Sequence, residues 1–189
     1  MKLEKIAVAS GNANKLKEIR QIFTGVEIIS MHELGFDGDI DETGTSFAEN
    51  ALIKAKFIAE KFNIPALADD SGLCVDYLNG APGIYSARFS GGGDAENRKL
   101  LLKKLDGVDT RGAHFESAVC LYFPDGKTFY GTGQVYGKIL LKETGSNGFG
   151  YDCLFWSDDL NKSFGEASAE EKNSVSHRFR ALSDLRSKF

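Results

Sequence analysis

Lys5-Ile6-Ala7-Val8-Ala9-Ser10-Gly11-Asn12-Ala13-Asn14-Lys15 is the stretch on which the fold turns. A short apolar run stops at Ser10-Gly11-Asn12, and beyond it Leu16, Ile19, Ile22 and Phe23 recur at helical spacing. That is a strand, a tight loop and a helix. Working outward, Val26 to Ser30 predicts a second strand. An acidic loop then leads to Ser46-Phe47-Ala48-Glu49, a capping-box pattern that starts an amphipathic helix running through about Phe62 and ending before Pro65. Ala66 to Asp69 and Leu73 to Tyr77 read as strands on either side of Asp70-Ser71-Gly72, and Asp94 is expected to cap a leucine-rich helix to about Leu105. The first half is thus built of βα units.

In the second half, Ala113 to Phe123 and Thr128 to Tyr136 are β-rich runs joined by the tight-turn residues Pro124-Asp125-Gly126-Lys127, which predicts an antiparallel pair. Gly148 to Trp156 supplies a further aromatic-rich strand or loop. Ser168-Ala169-Glu170-Glu171 is a second capping-box candidate, and Val175, Phe179, Leu182 and Leu185 form a C-terminal helical stripe. The pattern predicts an α/β fold, a mixed sheet with helices on more than one face and ligand-binding loops at strand ends. No repeat, low-complexity block or proline-rich linker marks a boundary, so residues 1–189 read as one domain.

Composition bounds the function. The chain has 189 residues, 42% hydrophobic and 26% charged, which is globular and neither disordered nor membrane-embedded. No apolar run approaches the roughly 18 to 20 residues of a membrane span. The start, Met1-Lys2-Leu3-Glu4-Lys5-Ile6, goes straight into strand-like sequence instead of a signal peptide, so a cytoplasmic protein is expected. A net charge of -4 argues against coating nucleic acid. Cys74, Cys120 and Cys153, odd in number and widely spaced, read as buried thiols and not as a disulfide framework or zinc ribbon.

Four segments have the residue types of a site. Ser10 to Lys15 lies between strand and helix, where backbone N–H groups and the Lys15 ammonium suit phosphate, although Ser and Asn in such a turn also serve as plain caps. An acidic set comprises Asp37, Asp39, Asp41 and Glu42 in one loop, Glu49 at a helix start and the adjacent pair Asp69-Asp70. Hard oxygen ligands from separate elements suit Mg²⁺; Asp37 and Asp39 read equally as solvated loop charges, and Glu49 as a capping partner of Ser46. Consecutive carboxylates repel unless something compensates, which points to a functional Asp70. Asn147-Gly148-Phe149-Gly150-Tyr151-Asp152 sets an aromatic between glycines, as a ring stacking on a flat ligand requires and as a core aromatic beside a bulge also shows. Lys172 and His177-Arg178 supply cations near the C-terminus. His32 and His114 have no such neighbours and read as structural or surface groups.

Together these segments closely resemble the inosine triphosphate pyrophosphatase family over nearly the whole chain. The match is carried by Ser10-Gly11-Asn12 with Lys15 and Glu18, and by Glu42-Thr43-Gly44 with Phe47, Glu49-Asn50-Ala51, Lys54 and Ala55. It continues through Ala68-Asp69-Asp70-Ser71-Gly72-Leu73, Gly80-Ala81-Pro82-Gly83-Ile84-Tyr85-Ser86-Ala87-Arg88, Gly148-Phe149-Gly150-Tyr151-Asp152, Glu171-Lys172-Asn173 and Ser176-His177-Arg178. Ser10 stands where the family often has threonine, and the hydroxyl is kept.

The resemblance implies an elongated mixed sheet in two lobes with a central nucleotide cleft, a homodimer, Mg²⁺, and hydrolysis of ITP, dITP or XTP to the monophosphate and pyrophosphate. It implies that Ser10, Gly11, Asn12, Ala13, Asn14 and Lys15 hold the triphosphate with Lys54, that Mg²⁺ sits on Asp70 and on Asp41 or Glu42, and that Asp70 deprotonates water while Asp69 supports the site. Ser71 would add a hydrogen bond. Phe149, within Gly150 and Tyr151, would stack on the base, Asp152 would touch its edge, Lys172 would meet base or phosphate, and Arg178 with His177 would face the 6-oxo group. A pyrophosphatase for modified pyrimidine nucleotides and a non-catalytic nucleotide sensor are the competing readings.

Overall fold

The computed structural model describes residues 3–189; Met1 and Lys2, read above with the approach to the first strand, lie outside the described residues. The strands are β1 (Lys5–Val8), β2 (Glu27–Ser30), β3 (Ala66–Val75), β4 (Gly112–Tyr122), β5 (Thr128–Ile139), β6 (Phe155–Ser157) and β7 (Lys162–Ser163). The helices are α1 (Ala13–Ile22), α2 (Phe47–Phe62), α3 (Asp94–Lys104), α4 (Ala169–Val175) and α5 (His177–Arg186). Sheet order is β2-β1-β3-β4-β5-β6-β7. β1 runs parallel to β2 and β3, while β6 runs antiparallel to β5 and β7, so the sheet is mixed as expected.

The chain condenses into two compact units. The first takes the described residues up to Asp70 with 117–133 and 178–189; the second takes 71–116 and 134–177. In the first unit the period-2 alternation of β1 sorts its side chains onto two faces. Ile6 and Val8 pack with Leu16 and Ile19 of α1 and with Ala181, Leu182 and Leu185 of α5. Ala7 and Ala9 pack with Ala66, Ala68 and the small-residue face of α2, Ala51, Ala55 and Ala59. With both faces covered, β1 reads as a continuous apolar run. A Cβ on Gly131 would strike the backbone of α5 at Ala181 and Leu185, so only glycine lets that helix lie directly on β5. The second unit closes around Leu73, Val75, Leu101, Leu105, Phe115, Val135, Phe155 and Phe164. There the Phe115 and Phe155 rings meet edge-on with centroids 4.8 Å apart.

Four local expectations change. β3 is one unbroken strand and not two flanking a turn, because Gly72 leaves room for the Gly83 carbonyl and the Ser86 hydroxyl. Gly93, not Asp94, caps α3; the Asp94 carboxylate instead accepts from Gly150 N at 3.0 Å. The C-terminal stripe is split, since extended Ser176 (φ -63, ψ 153) ends α4 and α5 begins at His177. Val175 therefore packs in the second unit's core while Leu182 and Leu185 pack in the first's. Finally, Cys74 and Cys120 are buried free thiols as read, but Cys153 is only partly buried.

Candidate active site

In the first unit the chemistry gathers on β3, which turns successive side chains to opposite faces and so separates the two adjacent aspartates. Asp69 Oδ2 receives Lys15 Nζ at 2.8 Å and Arg178 Nε at 3.1 Å, and Oδ1 accepts from the Ser117 hydroxyl at 2.5 Å. Arg178 also pairs with Glu18. Burial works against ionising Asp69, yet Arg178 and Lys15 outweigh it and hold the carboxyl well below the usual carboxylate range.

Asp70 has the other environment. Its Oδ1 accepts from Lys54 Nζ at 2.9 Å and its Oδ2 from Asn50 Nδ2 at 3.3 Å. Burial raises its pKa above the ordinary value and Glu42 adds to the rise, against the pull of Lys54. Lys54 Nζ donates in turn to Glu42 at 2.6 Å and to the Asp69 carbonyl at 3.2 Å. Although burial opposes its charge, Asp70 and Glu42 keep the ammonium protonated.

Glu42 and Asp70 thus converge on one cation, and Asp41, the other candidate metal ligand, is exposed and outside this cluster. Among the described residues no third histidine, cysteine or carboxylate joins the pair. Two hard oxygen donors and no cage fit Mg²⁺, which keeps water and substrate oxygens as its remaining ligands. The donor set therefore suits the expected metal.

The Ser10–Lys15 loop is capped from within. The Ser10 hydroxyl accepts from Asn12 N at 3.2 Å, and Asn12 Oδ1 accepts from Asn14 N at 2.9 Å and Lys15 N at 3.2 Å. Gly11, Asn12, Ala13 and Asn14 are exposed, whereas Lys15 reaches back to Asp69. His32 is a surface group, as read, and abuts this loop: a Cβ on Gly11 would collide with its Nε2, and its Nδ1 lies 2.8 Å from Asp37. At the head of α2 the Glu49 carboxylate accepts from Thr45 N at 2.6 Å and Oγ1 at 2.9 Å, so it orders that turn and is not among the groups around Lys54.

The second unit holds the aromatic loop. Gly148 has φ +76, and a Cβ there would run into the Asp152 carboxylate. Asp152 is buried and accepts from Phe149 N at 2.8 Å and from buried Lys172 Nζ at 2.7 Å. The same ammonium lies 4.6 Å from the Phe149 ring centroid, a cation–π contact that fixes the ring. Gly150 is tied through its N to Asp94 and through its carbonyl to Arg98 at 3.0 Å. Asp94, Arg98, Gly148, Phe149 and Gly150 help to line a cavity of about 400 Å³.

Tyr151 is a core residue whose hydroxyl donates to the Ser86 carbonyl at 2.8 Å. His177 is buried and stacks on Phe115 at 4.9 Å, and Ser71 is half-buried. Arg178, expected to face a base, is buried in its ion pairs with Asp69 and Glu18. Ser117, Arg98 and the cap role of Asp94 on the loop went unread: a serine in an apolar strand and an arginine in a helix offer no spacing signal. Glu18 and Asn50 stood in the quoted motifs with no role attached.

An adjacent pair of buried aspartates in opposed environments, set on an α/β sheet with a Lys–carboxylate cluster, has the residue types and placement of an enzyme site. The chain belongs to the Ham1 family, whose pattern matches residues 6–188. It is 46% identical over 188 residues to the dITP/XTP pyrophosphatase of Thermoanaerobacter pseudethanolicus, covering 96% of this chain and 94% of that one. It is 45% identical over 193 residues to the dITP/XTP pyrophosphatase of Haemophilus influenzae, covering 98% of each. The Staphylococcus aureus Ham1 protein superposes with TM-score 0.89 at 40% identity over 97% of each chain. The family read from the motifs is upheld.

Proposed function

We propose that this protein is a Mg²⁺-dependent pyrophosphatase that hydrolyses ITP, dITP and XTP to the nucleoside monophosphate and pyrophosphate. The observation that carries the reading is the convergence of Glu42 and Asp70 on Lys54, beside the names of its close relatives. Glu42, and not Asp41, would serve with Asp70 as the metal's protein ligands. The metal, when bound, supplies Lewis-acid neutralisation of phosphate oxygens.

Asp70 accepts a proton from water as the water oxygen bonds the α-phosphorus and the bond to the bridging oxygen of pyrophosphate breaks. Its raised pKa strengthens it as a base. Lys54 and the Ser10–Lys15 loop offset the charge of the triphosphate. Asp69 holds Lys15 and Arg178 in place and takes no proton. Phe149 stacks on the base, with Asp152 and Lys172 bracing the ring. With Arg178 committed to Asp69 and Glu18, a donor facing O6, for which His177 is the candidate, would favour a 6-oxo purine over adenine by roughly 1–3 kcal/mol for each group left unpaired. A cytoplasmic homodimer completes the proposal. Among the described residues no helix is long and apolar enough to cross a membrane.

The test is turnover of ITP, XTP, GTP, ATP and dTTP with Mg²⁺ and identification of both products. IMP or XMP with pyrophosphate, and little cleavage of ATP or GTP, is expected. Release of orthophosphate would overturn attack at the α-phosphorus, and nucleotide binding with no turnover would favour a sensor.

A further inference from the structure

The second unit carries a ligand set that the proposed reaction does not use. Cys74 of β3 and His114 and Glu116 of β4 bring a thiol sulfur, an imidazole nitrogen and a carboxylate oxygen within 4.8 Å of one another. His114 and Glu116 are two apart on one strand and so share a face, with His114 Nε2 3.6 Å from Glu116 Oε2. Bonds of about 2.0–2.3 Å at tetrahedral angles place the ligand atoms of a zinc ion about 3.4–3.6 Å apart, so side-chain shifts of about an ångström complete three corners. We propose that Cys74, His114 and Glu116 form a Zn²⁺-class metal site whose fourth position is open to water.

The surroundings have the form of an outer shell. Gln134 Nε2 donates to Glu116 Oε2 at 2.7 Å, and the Tyr136 hydroxyl donates to Gln134 Oε1 at 2.7 Å, a chain that orients the carboxylate. The Tyr136 ring also packs against His114 with centroids 5.4 Å apart. A sulfur and a nitrogen ligand select a borderline metal over Mg²⁺, so this site and the Glu42–Asp70 pair take different ions. Coordination exchanges the thiol proton for the metal–sulfur bond, and the proton leaves to solvent.

Co²⁺ serves as the spectroscopic probe, titrated into the full chain with excess Mg²⁺ occupying carboxylate sites. One equivalent is expected to bind with a thiolate-to-cobalt charge-transfer band that Zn²⁺ then bleaches. Cys74→Ser should abolish the band and Cys153→Ser should leave it. His114→Ala, at a half-buried position, should weaken binding by more than about tenfold, since loss of an outer-shell partner alone costs 10–100-fold. Absence of the band, or its survival in Cys74→Ser, would overturn the site. If Cys74→Ser fails to fold by circular dichroism, unchanged affinity in His114→Ala would overturn it equally.

Discussion

Asp69 and Asp70 are neighbours in sequence and opposites in chemistry. One carboxylate is ringed by Lys15, Arg178 and Ser117 and is held low; the other is lifted by burial and Glu42 against the pull of Lys54. Replacing Asp70 by Asn should lower kcat by about 10²–10⁴, the usual worth of a positioned base, while calorimetry finds ITP affinity within a few-fold of the parent. The raised pKa also has a signed consequence. Asp70 must be deprotonated to act, so kcat/KM should fall with decreasing pH, and a pH–rate profile with no acid limb would remove Asp70 from the role. Without metal, carboxyl NMR should find Asp70 titrating above the ordinary carboxylate range. The need of Asp69 and Asp70 for compensating partners was legible because two adjacent carboxylates repel. The compensators were less so: Ser117 and Arg178 lie far from Asp69 along the chain, and no local pattern announces a partner that only the fold brings near.

At the scale of elements, the Gly148–Asp152 loop shows how one backbone conformation serves a ring. Gly148 takes a left-handed φ, Asp152 turns back to the Phe149 amide, and Lys172 bridges carboxylate and ring. Gly148→Ala combines a positive φ with a collision at Asp152, a strain of about 1–3 kcal/mol. Thermal denaturation should report that loss, and steady-state kinetics should show KM for ITP rising more than kcat falls. Helix α2 was legible to within a residue from Ser46 and Pro65, because a cap and a breaker act locally. The joint between α4 and α5 was not, since the stripe from Val175 to Leu185 keeps helical spacing across Ser176 while its members pack in different cores. Periodicity reports that a residue is buried, not against what. β3 was misread for a related reason: Asp70-Ser71-Gly72 has the composition of a turn, and only the long-range approach of Gly83 and Ser86 to Gly72 explains why it stays extended.

For the whole molecule, the mixed sheet with helices on two faces of β1 followed from apolar runs alternating with amphipathic stretches. The assignment of stretches to two units did not, because the boundaries at Asp70 and His177 fall inside β3 and at the first residue of α5. The buried Asp69 cluster also enters the stability of the fold. Its carboxyl is depressed, so its contribution is complete above the ordinary carboxylate range and is lost as pH falls through the lowered value. Asp69→Asn should cost about 3–5 kcal/mol near neutral pH by leaving buried cations undercompensated. The gap in melting temperature from the parent should narrow only in strong acid.

Ile6 and Leu185 belong to one apolar cluster although nearly the whole chain separates them. On a translating ribosome at 5–20 residues per second, β1 therefore emerges and waits roughly 10 to 40 s for the helix that covers one of its faces. During that interval the part of this face that α1 leaves uncovered is open to solvent or to a chaperone, and a nascent chain stalled before α5 would present it indefinitely. Protection of this strand in the cell is thus a matter of timing as much as of packing.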